Sequence, residues 1–277
     1  MKRLVVRIRL DAMASRGLDE ALALRTGLQL DHVRDAIGKG ALWSVRGRRR
    51  ERIRETQPGK AGADTVELCY DEELLALVPP SAACIDDQRS YSVWIKPPGL
   101  LSQGTRFGDH CSLIRQAELH FNPARKVFLV HRLDREVEGI MLLAHTKPAA
   151  AKLSFLFREN RIRKTYRAQV LGMLGDEGTS GTISADLDGK PARTDYRIEA
   201  CSPDAATSLV SVTIETGRLH QIRRHFEMIG HPVMGDPTYG AGNKNRQGIR
   251  LQAVGLEFVC PFRKKLVAYE LPEAKKA

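Results

Sequence analysis

The fold prediction rests on two neighbouring segments, VFLVHRLD at residues 127–134 and IMLLA at residues 140–144. Two apolar runs of strand length bracket one polar insert, so the insert is predicted to lie in a loop at the end of a sheet. Such a loop is a rigid place for a catalytic group. Asp134 lies between Arg132 and Arg135, whose positive charge stabilises a carboxylate. A surface loop with an ion pair is the alternative interpretation of this segment.

Strand-like segments recur along the chain, at residues 4–10, 65–70, 91–95, 165–171, 209–216 and 251–259. Helices are predicted around residues 18–24, after an N-cap at Asp31, from Pro148 onward, and between Gly217 and Gly230. The strands outnumber the helices, and the two do not alternate in regular βαβ units. This balance predicts an α+β fold with a mainly antiparallel or mixed central sheet and flanking helices.

The composition between residues 71 and 90 is typical of a domain boundary. The turn-forming residues there are Pro79, Pro80, Ser81, Asp86, Asp87 and Ser90. We therefore predict a small N-terminal α/β domain over residues 1–80, a linker over 81–90 and a second domain over 91–277.

The net charge points to a polyanionic partner. The chain has 277 residues, with 44 Lys and Arg against 33 Asp and Glu, which gives a formal net charge of +11. A hydrophobic content of 42% is enough for a buried core and excludes wholesale disorder. Nucleic acid and a membrane surface both attract such a charge, and a solvated basic surface is the alternative.

The sequence shows no pattern typical of membrane insertion or secretion. No apolar run approaches the roughly 18 residues of a spanning helix, and arginines interrupt the apolar N-terminal segment MKRLVVRIRL. The five cysteines are scattered and include no CxxC pair, which argues against a disulfide framework and a structural zinc site. We therefore expect a cytoplasmic protein without membrane association.

Two segments concentrate positive charge. RGRRRERIR at residues 46–54 includes Arg48, Arg49 and Arg50, and RIRKTYR at residues 161–167 places Tyr166 among cations. Such cations bind backbone phosphates, and base stacking on an aromatic ring is worth about 1–3 kcal/mol. An ordinary exposed aromatic side chain on a solvated surface is the alternative interpretation.

The segment GRLHQIRRH at residues 217–225 is predicted to open a helix whose free N–H groups face phosphate. Its apolar stripe comprises Leu219, Ile222, Phe226 and Ile229. Arg223 falls at the border of this stripe, where a partly buried guanidinium needs a carboxylate or phosphate partner. The histidines at 220, 225 and 231 lack the i, i+4 spacing of a helical zinc motif, so no metal is expected.

Together these segments resemble the motifs of the RluA family of pseudouridine synthases, which isomerise uridine within RNA. The matching segments are KPPGL at 96–100, HRLD at 131–134, KTYRA at 164–168, GRLHQIR at 217–223 and GHPVMGDPTYG at 230–240. They follow the family's order over about residues 90–271, and several ordered motifs are more specific than one. The resemblance implies an α+β catalytic domain with a cleft across a mainly antiparallel sheet.

The resemblance also implies roles for single residues. Asp134 matches the family's essential aspartate, Tyr166 the tyrosine that stacks on the target base, and Arg223 the arginine that pairs with the aspartate. Further contacts with RNA are expected from Lys96, His131, Arg132, Arg135, Lys164, Arg167, Arg218, His220 and Gln221, and from Arg48, Arg49 and Arg50. The implied substrate is large-subunit ribosomal RNA or tRNA, bound by a monomer that needs no cofactor and no metal.

The first ninety residues show a second resemblance. Residues 18–50 look like the small RNA-binding domain named after ribosomal protein S-four. The match rests on Leu18, Leu22, Leu28, Asp31, Val33, Ile37, Gly40, Val45 and Gly47. A generic helix-turn-helix-like cap is the alternative interpretation.

The chain departs from the family's pattern at three positions. Val137 and Glu138 stand where the family usually has Thr and Ser, and Gln252 stands where a His is common. A non-catalytic RNA-binding or ribosome-assembly factor with the same fold is therefore the alternative function. Binding to a membrane surface is a third candidate function, but the sequence shows no amphipathic helix with a large aromatic face.

Overall fold

The computed structural model describes residues 2–9, 17–55 and 65–272. The chain divides into two compact units. The N-terminal unit comprises residues 1–80 and 103–119, and the sheet unit comprises residues 81–102 and 120–277. Among the described residues, no helix is both long and apolar enough to cross a membrane.

The N-terminal unit is built on a four-stranded sheet in the order β1-β4-β2-β3. Its elements are β1 (Arg3–Arg9), α1 (Leu18–Thr26), α2 (Leu30–Gly38), β2 (Leu42–Arg46), β3 (Arg49–Ile53), β4 (Thr65–Asp71), α3 (Glu72–Ala76) and α4 (Leu113–His120), whose last residue belongs to the sheet unit. The core between helices and sheet includes Leu22, Val33, Leu42 and Leu68, each fully buried.

The helix α2 starts two residues earlier than the predicted N-cap at Asp31 implies. Gln29 occupies the N-cap, so Asp31 lies in the first turn instead of capping the helix. Its negative charge there still interacts favourably with the positive end of the helix dipole. Leu10, predicted as the end of the first strand, lies outside the described residues.

The sheet unit contains a ten-stranded sheet. Its strands are β5 (Ala83–Asp87), β6 (Tyr91–Lys96), β7 (Phe128–Leu129), β8 (Glu138–Ala144), β9 (Ile162–Leu171), β10 (Ser180–Leu187), β11 (Lys190–Ser202), β12 (Thr207–Ile214), β13 (Leu251–Val259) and β14 (Leu266–Glu270). The main order is β10-β11-β12-β9-β13-β8-β6-β5, with β14 paired to β13 and β7 to β8.

The strand β13 brings the site-bearing segments together. It pairs antiparallel with β9 and parallel with β8, whereas the other pairs of described strands are antiparallel. In this register Ala253 lies opposite both Tyr166 and Gly139. The start of β13 therefore lies beside both the HRLD loop and the tyrosine strand.

Two helices belong to the sheet unit, α5 (Lys147–Arg158) and α6 (Gln221–Met228). The hydroxyl of Thr146 caps α5 by accepting a hydrogen bond from the Ala149 N–H at 3.2 Å, and Pro148 lies in the first turn. Leu153 and Leu156 of α5 pack into a core with the apolar face of β6, β8 and β13. The helix predicted after Gly217 begins only at Gln221. Leu219, predicted as part of its apolar stripe, therefore lies before the helix and is 58% exposed.

The predicted α+β class with a mixed central sheet is confirmed. The segment predicted as a linker instead contributes β5, which pairs with β6 at the end of the sheet, so residues 83–87 belong to the sheet unit. Residues 103–119 lie in the N-terminal unit rather than in the second domain. Contacts that are distant along the chain decide these boundaries, and composition does not show such contacts.

The hairpin of β10 and β11 is absent from the sequence prediction. Its strands carry many small and polar residues, so they show little apolar alternation. A usable signal was the dipeptide Asp188-Gly189, since both residues have positive φ, as a tight hairpin turn requires.

Candidate active site

The HRLD segment forms a loop between β7 and β8 that a buried serine fixes. The Ser102 hydroxyl donates to the Leu133 carbonyl oxygen at 2.7 Å and accepts from the Leu133 N–H at 3.0 Å. The Val137 N–H donates to the Asp134 carbonyl oxygen at 3.2 Å. These contacts hold the backbone on both sides of Asp134.

Arg223 of α6 lies between two carboxylates. Its Nη1 donates to Asp134 Oδ2 at 3.0 Å, so the predicted contact is present. Its Nε and Nη2 donate to Asp236 at 2.6 and 2.8 Å. The side chains of Arg223 and Asp236 are 2% and 0% exposed, whereas that of Asp134 is 20% exposed. Asp236 therefore fixes the guanidinium, and Asp134 keeps one side open to solvent.

The charges of Arg223 and Asp236 stabilise each other. Burial alone acts against the charged form of both groups. Hydrogen bonds and charge from Asp236 and Asp134 outweigh it and raise the pKa of Arg223. The pKa of Asp236 is lowered despite burial, because Arg223 and the N–H groups of Thr238 and Tyr239 donate to the carboxylate.

Tyr166 enters the same site from β9. Burial, together with the neighbouring charge of Asp134, raises the pKa of its phenol, so the hydroxyl stays protonated at neutral pH. Its side chain is partly exposed. A neutral aromatic ring beside an ionised carboxylate offers a face on which a planar base can stack.

His220 completes this side of the site at the N-cap of α6. Its backbone has a φ of 52°, in the left-handed region. The Nε2 atom lies 3.6 Å from Asp134 Oδ2, and Nδ1 lies 3.2 Å from the Tyr239 hydroxyl.

These side chains surround a cavity of about 310 Å³, which we call the cleft. Its polar lining consists of Arg132, Asp134, Tyr166, Arg218, His220, Gln221 and Arg223. Its apolar lining consists of Leu133, Val137, Ile214, Leu219, Ile222 and Leu251. The cleft thus combines one exposed carboxylate with an aromatic face, and it has room for a nucleobase.

Five residues predicted to contact RNA line the cleft or are exposed near it. Arg132 and Arg218 line the cleft, and His220 lies beside Asp134. Arg135 is exposed next to the loop, with Nε donating to the Gly99 carbonyl oxygen at 3.2 Å. Arg167, the residue after Tyr166 on β9, is also exposed, and its Nε lies 3.0 Å from a carboxylate oxygen of Glu199.

The structure contradicts the prediction for two lysines, because both are buried. Lys96 is 0% exposed, and its Nζ donates to the carbonyl oxygens of Pro97, Leu100 and Arg135. Lys164 donates to the carbonyl oxygens of Glu215 and Thr216. Burial lowers the pKa of each lysine to about 8. Their positive charge therefore satisfies backbone oxygens inside the protein and does not face RNA.

His131 and Gln221 also make internal contacts. His131 Nε2 accepts the Leu142 N–H at 2.9 Å and its ring stacks on Phe157, while burial lowers its pKa to about 3. Gln221 is 3% exposed and donates to the Arg193 carbonyl oxygen at 2.9 Å. His131 therefore positions the site, in contrast to its predicted contact with RNA. Gln221 also lines the cleft, and its contact with RNA stays a prediction.

Removing the Lys96 ammonium group from beneath the loop is expected to lower the stability of the fold. In Lys96→Met, three carbonyl oxygens, one of them fully buried, lose their donor. We expect this loss to lower the free energy of unfolding by about 2–4 kcal/mol. Denaturant unfolding measures this change. Lys152→Met, on the exposed face of α5, is the control and should stay within about 0.5 kcal/mol of the unchanged protein. An equal loss in both variants would contradict the assigned role.

The arginine segment 46–54 is divided between two tasks. Arg46, Arg48 and Arg49 are exposed around the turn between β2 and β3, with Arg49 paired to Glu51. Arg50 pairs with Glu67 at 3.0 Å and remains 41% exposed. The remaining two arginines of the segment, at 52 and 54, bind Asp109 within the N-terminal unit. Only the outward-facing part is available for phosphate.

Sequence reasoning missed three features of the site. Asp236 lies in the quoted GDPTYG segment but was not assigned a role, and Ser102 carried no signal at all. Glu138 and Gln252, two of the departures from the family pattern, form a hydrogen bond of 2.8 Å with each other. Their in-register position on β8 and β13 explains why the two side chains meet.

The three histidines of the α6 region do not converge. His225 Nδ1 contacts Thr194 Oγ1 at 2.9 Å, and His231 Nδ1 contacts the Leu171 carbonyl oxygen at 2.9 Å. Within residues 2–9, 17–55 and 65–272, no group of three or more His, Cys, Asp or Glu side chains is arranged to hold a metal ion.

Two solved structures share the fold of this chain. The human proteins RNA Pseudouridylate Synthase Domain Containing 1 and Domain Containing 4 align with TM-scores of 0.57 and 0.55, at 24% and 22% sequence identity. The first alignment covers 71% of this chain and 86% of the human chain, and the second covers 69% and 89%.

Sequence comparison gives the family. The model described as RNA pseudouridylate synthase matches residues 90–228. An RNA pseudouridine synthase of Mycoplasma pneumoniae is 30% identical over 75% of this chain and 74% of its own length. Ribosomal large subunit pseudouridine synthase D of Zymomonas mobilis is 33% identical over 52% of this chain and 53% of its own. The tRNA pseudouridine synthase C of Pectobacterium carotovorum is 36% identical over 43% of this chain and 38% of its own length.

The chain thus spans about half or less of the length of the last two relatives. The family model nevertheless includes Asp134, Tyr166 and Arg223. The family predicted from the motifs is confirmed: this chain belongs to the RluA family of RNA pseudouridine synthases.

Proposed function

We propose that this chain converts specific uridines of large-subunit ribosomal RNA or tRNA into pseudouridine. The Asp134 carboxylate carries the proposal, since it is held by Arg223 at 3.0 Å and opens into the cleft beside Tyr166. Relatives named for each RNA class support both substrates. The proposed enzyme is cytoplasmic and monomeric and acts without cofactor or metal.

Asp134 acts on the ribose of the target uridine. It either attacks carbon 1′ or removes a proton from carbon 2′, and both routes require the ionised carboxylate. Arg223 stabilises that charge and cannot act as an acid itself, because its pKa is raised above the ordinary arginine value. The buried pair with Asp236 keeps the guanidinium aligned throughout the reaction.

Tyr166 receives the uracil ring. A uridine must leave its stack to reach a carboxylate inside a cleft, at a cost of a few kcal/mol. Stacking on the tyrosine ring recovers about 1–3 kcal/mol of that cost. The apolar walls formed by Val137 and Leu251 exclude water from the base.

The N-terminal unit supplies RNA affinity in this proposal, as an S-four-like domain. Its outward-facing arginines around the β2–β3 turn, at 46, 48, 49 and 50, support a phosphate-binding surface. The sheet unit, which includes residues 91–102 and 120–272, supplies catalysis.

A pseudouridine map tests the function and locates the substrate. RNA from cells with and without the protein is treated with a carbodiimide that marks pseudouridine, and the stops of reverse transcription are compared. We expect at least one mark in ribosomal RNA or tRNA to disappear without the protein and to return when the purified protein is added. Identical maps would overturn the proposal.

The β2–β3 turn is expected to control the salt dependence of binding. Replacing Arg46, Arg48 and Arg49 by Ser removes up to three phosphate contacts. We expect the slope of log Kd against log salt to become shallower by about 2–3. Fluorescence anisotropy with total tRNA at several salt concentrations measures the slope.

A matched triple variant serves as the control for this experiment. Arg158, Arg263 and Lys264 are exposed in the sheet unit, and replacing them by Ser removes the same charge. We expect a much smaller change in slope. Equal slopes in the two variants would show that the turn is only a solvated surface.

The alternative of a non-catalytic assembly factor gains no support from the departures that suggested it. Val137 forms an apolar wall of the cleft, where it leaves Asp134 accessible. The Glu138 carboxylate accepts a hydrogen bond from the Gln252 amide. Within the described part of the chain, it forms no hydrogen bond with Asp134 or Arg223. The Asp134, Tyr166 and Arg223 arrangement is intact.

A further inference from the structure

We infer that His220 moves the proton that must pass from carbon 5 to nitrogen 1 of the uracil ring. The inference rests on the proposed function and assigns a step that Asp134 does not perform. Once carbon 5 has bonded to carbon 1′, it still carries its hydrogen, and nitrogen 1 has lost the ribose. A base must take the hydrogen from carbon 5, and an acid must supply one to nitrogen 1.

The step balances with a single group acting twice. The C5–H electron pair restores the double bond between carbons 5 and 6, and the pair between carbon 6 and nitrogen 1 moves onto the nitrogen. One proton leaves carbon 5, and one proton arrives at nitrogen 1. A neutral imidazole that becomes imidazolium and then returns the proton completes the step without another reactant.

The geometry of His220 suits this task. Its Nε2 lies 3.6 Å from Asp134 Oδ2 and lines the cleft, so it faces the place where the ribose and the base must lie. The Tyr239 hydroxyl, 3.2 Å from Nδ1, holds the opposite side of the ring. When Nδ1–H donates to that hydroxyl oxygen, Nε2 is left as the acceptor.

Asp134 stabilises the imidazolium at the moment it forms. In the route through attack on carbon 1′, bonding of carbon 5 to carbon 1′ releases the carboxylate in the preceding step. The restored negative charge then lies next to the protonated Nε2. In this order of steps, Asp134 and His220 form an ion pair at the stage at which His220 carries the proton.

The other ionisable groups that face His220 are less suited. Arg218 and Arg223 remain cationic and cannot accept a proton. Tyr166 is held neutral by burial and by Asp134, so it is a weak acid, and its phenol has no anion to act as base near neutral pH. Tyr239 faces Nδ1 on the side away from Asp134. Histidine is the side chain that exchanges a proton readily between pH 5 and 8.

The backbone at His220 supports a functional interpretation. A φ of 52° is uncommon for a residue other than glycine, and such conformations concentrate at functional sites. Here the conformation turns the chain into α6 while directing the imidazole to Asp134. An ordinary helix start would not require a histidine at this position.

The test measures loss of hydrogen from carbon 5 directly. The probe is total RNA labelled with [5-³H]uridine from a strain that lacks the protein. In His220→Gln, the amide still forms hydrogen bonds but cannot carry a proton. We expect kcat to fall about 100-fold or more. We also expect a larger tritium isotope effect on product formation than in the unchanged enzyme, because breaking the C5–H bond becomes the slow step.

The pH profile separates proton transfer from simple positioning. The unchanged enzyme should lose kcat toward acid pH, because a protonated imidazole cannot accept the proton of carbon 5. This acid limb should be absent from His220→Gln. His120→Gln, outside the cleft, is the matched control and should leave rate and profile unchanged. A His220→Gln rate within threefold of the unchanged enzyme would overturn the inference, and so would a slow rate with the same pH profile and the same tritium isotope effect.

A second variant covers a failure of His220→Gln to fold. His220→Ala opens space for free imidazole, which should restore part of the rate in proportion to its neutral form. Absence of rescue in folded protein would overturn the inference. The proposed function itself fails only if the unchanged enzyme forms no pseudouridine in this RNA, so the two failures are distinguishable.

Discussion

Replacing Asp134 by Asn is expected to lower kcat for pseudouridine formation by about 10⁴-fold. The amide has neither the charge nor the nucleophilic oxygen that both routes at the ribose require. The fold should persist, because Arg223 keeps its two hydrogen bonds to Asp236. Mass spectrometry of nucleosides from RNA of the deletion strain, incubated with purified protein, measures the rate.

The control for this experiment is Asp188→Asn. Asp188 also pairs with an α6 arginine, Arg224 at 3.0 Å, but it is 66% exposed on the hairpin turn and lies outside the cleft. We expect near-normal activity from this variant. If Asp134→Asn modified RNA at the rate of the control, the assignment of Asp134 would be wrong, whatever the binding affinity.

Replacing Asp236 by Asn is expected to lower the free energy of unfolding by about 3–5 kcal/mol. Arg223 would remain buried with one carboxylate instead of two, and the N–H groups of Thr238 and Tyr239 would lose a charged acceptor. Activity should also fall, since the guanidinium is no longer fixed opposite Asp134. Urea unfolding at pH 7 measures the loss of stability.

The same variant should change how stability depends on pH. The folded pKa of Asp236 lies below its unfolded value, so its contribution is fully present above the unfolded pKa and disappears as the pH falls through the folded one. We therefore expect the difference between the unchanged protein and Asp236→Asn to shrink in acid. A constant difference from pH 7 downward would contradict the role of the charge.

Asp195→Asn is the matched control for stability. Its carboxylate accepts from Arg193 at the surface, and exposed pairs of this kind contribute about 1 kcal/mol or less. If it destabilised the protein as much as Asp236→Asn, the effect would not come from the buried pair.

Some of the site could be predicted from single residues. The border position of Arg223 on an apolar stripe indicates a partly buried cation, and burial of a cation demands an acidic partner. The structure supplies Asp134, as the family resemblance implied, and also Asp236. The second partner was not foreseen, because the loop after α6 has no periodicity from which its direction could be read.

Other residues show where sequence is silent. Lys96 and Lys164 are cations in motif segments, and a sequence displays their charge but not their burial. Each in fact binds two or more backbone oxygens inside the protein. Arg52 and Arg54, at the end of the arginine segment 46–54, bind Asp109. Asp109 is more than fifty residues away along the chain.

The sequence by itself determined the α+β class, the family and the identity of Asp134, Tyr166 and Arg223 as the residues to test. It did so because periodicity and ordered motifs are local properties of a chain. Only the tertiary structure decided that His220 lies beside Asp134, that Asp236 fixes Arg223, and which cations remain free for RNA. Those facts depend on strand pairing and burial, since the parallel register of β13 against β8 joins segments that are more than one hundred residues apart.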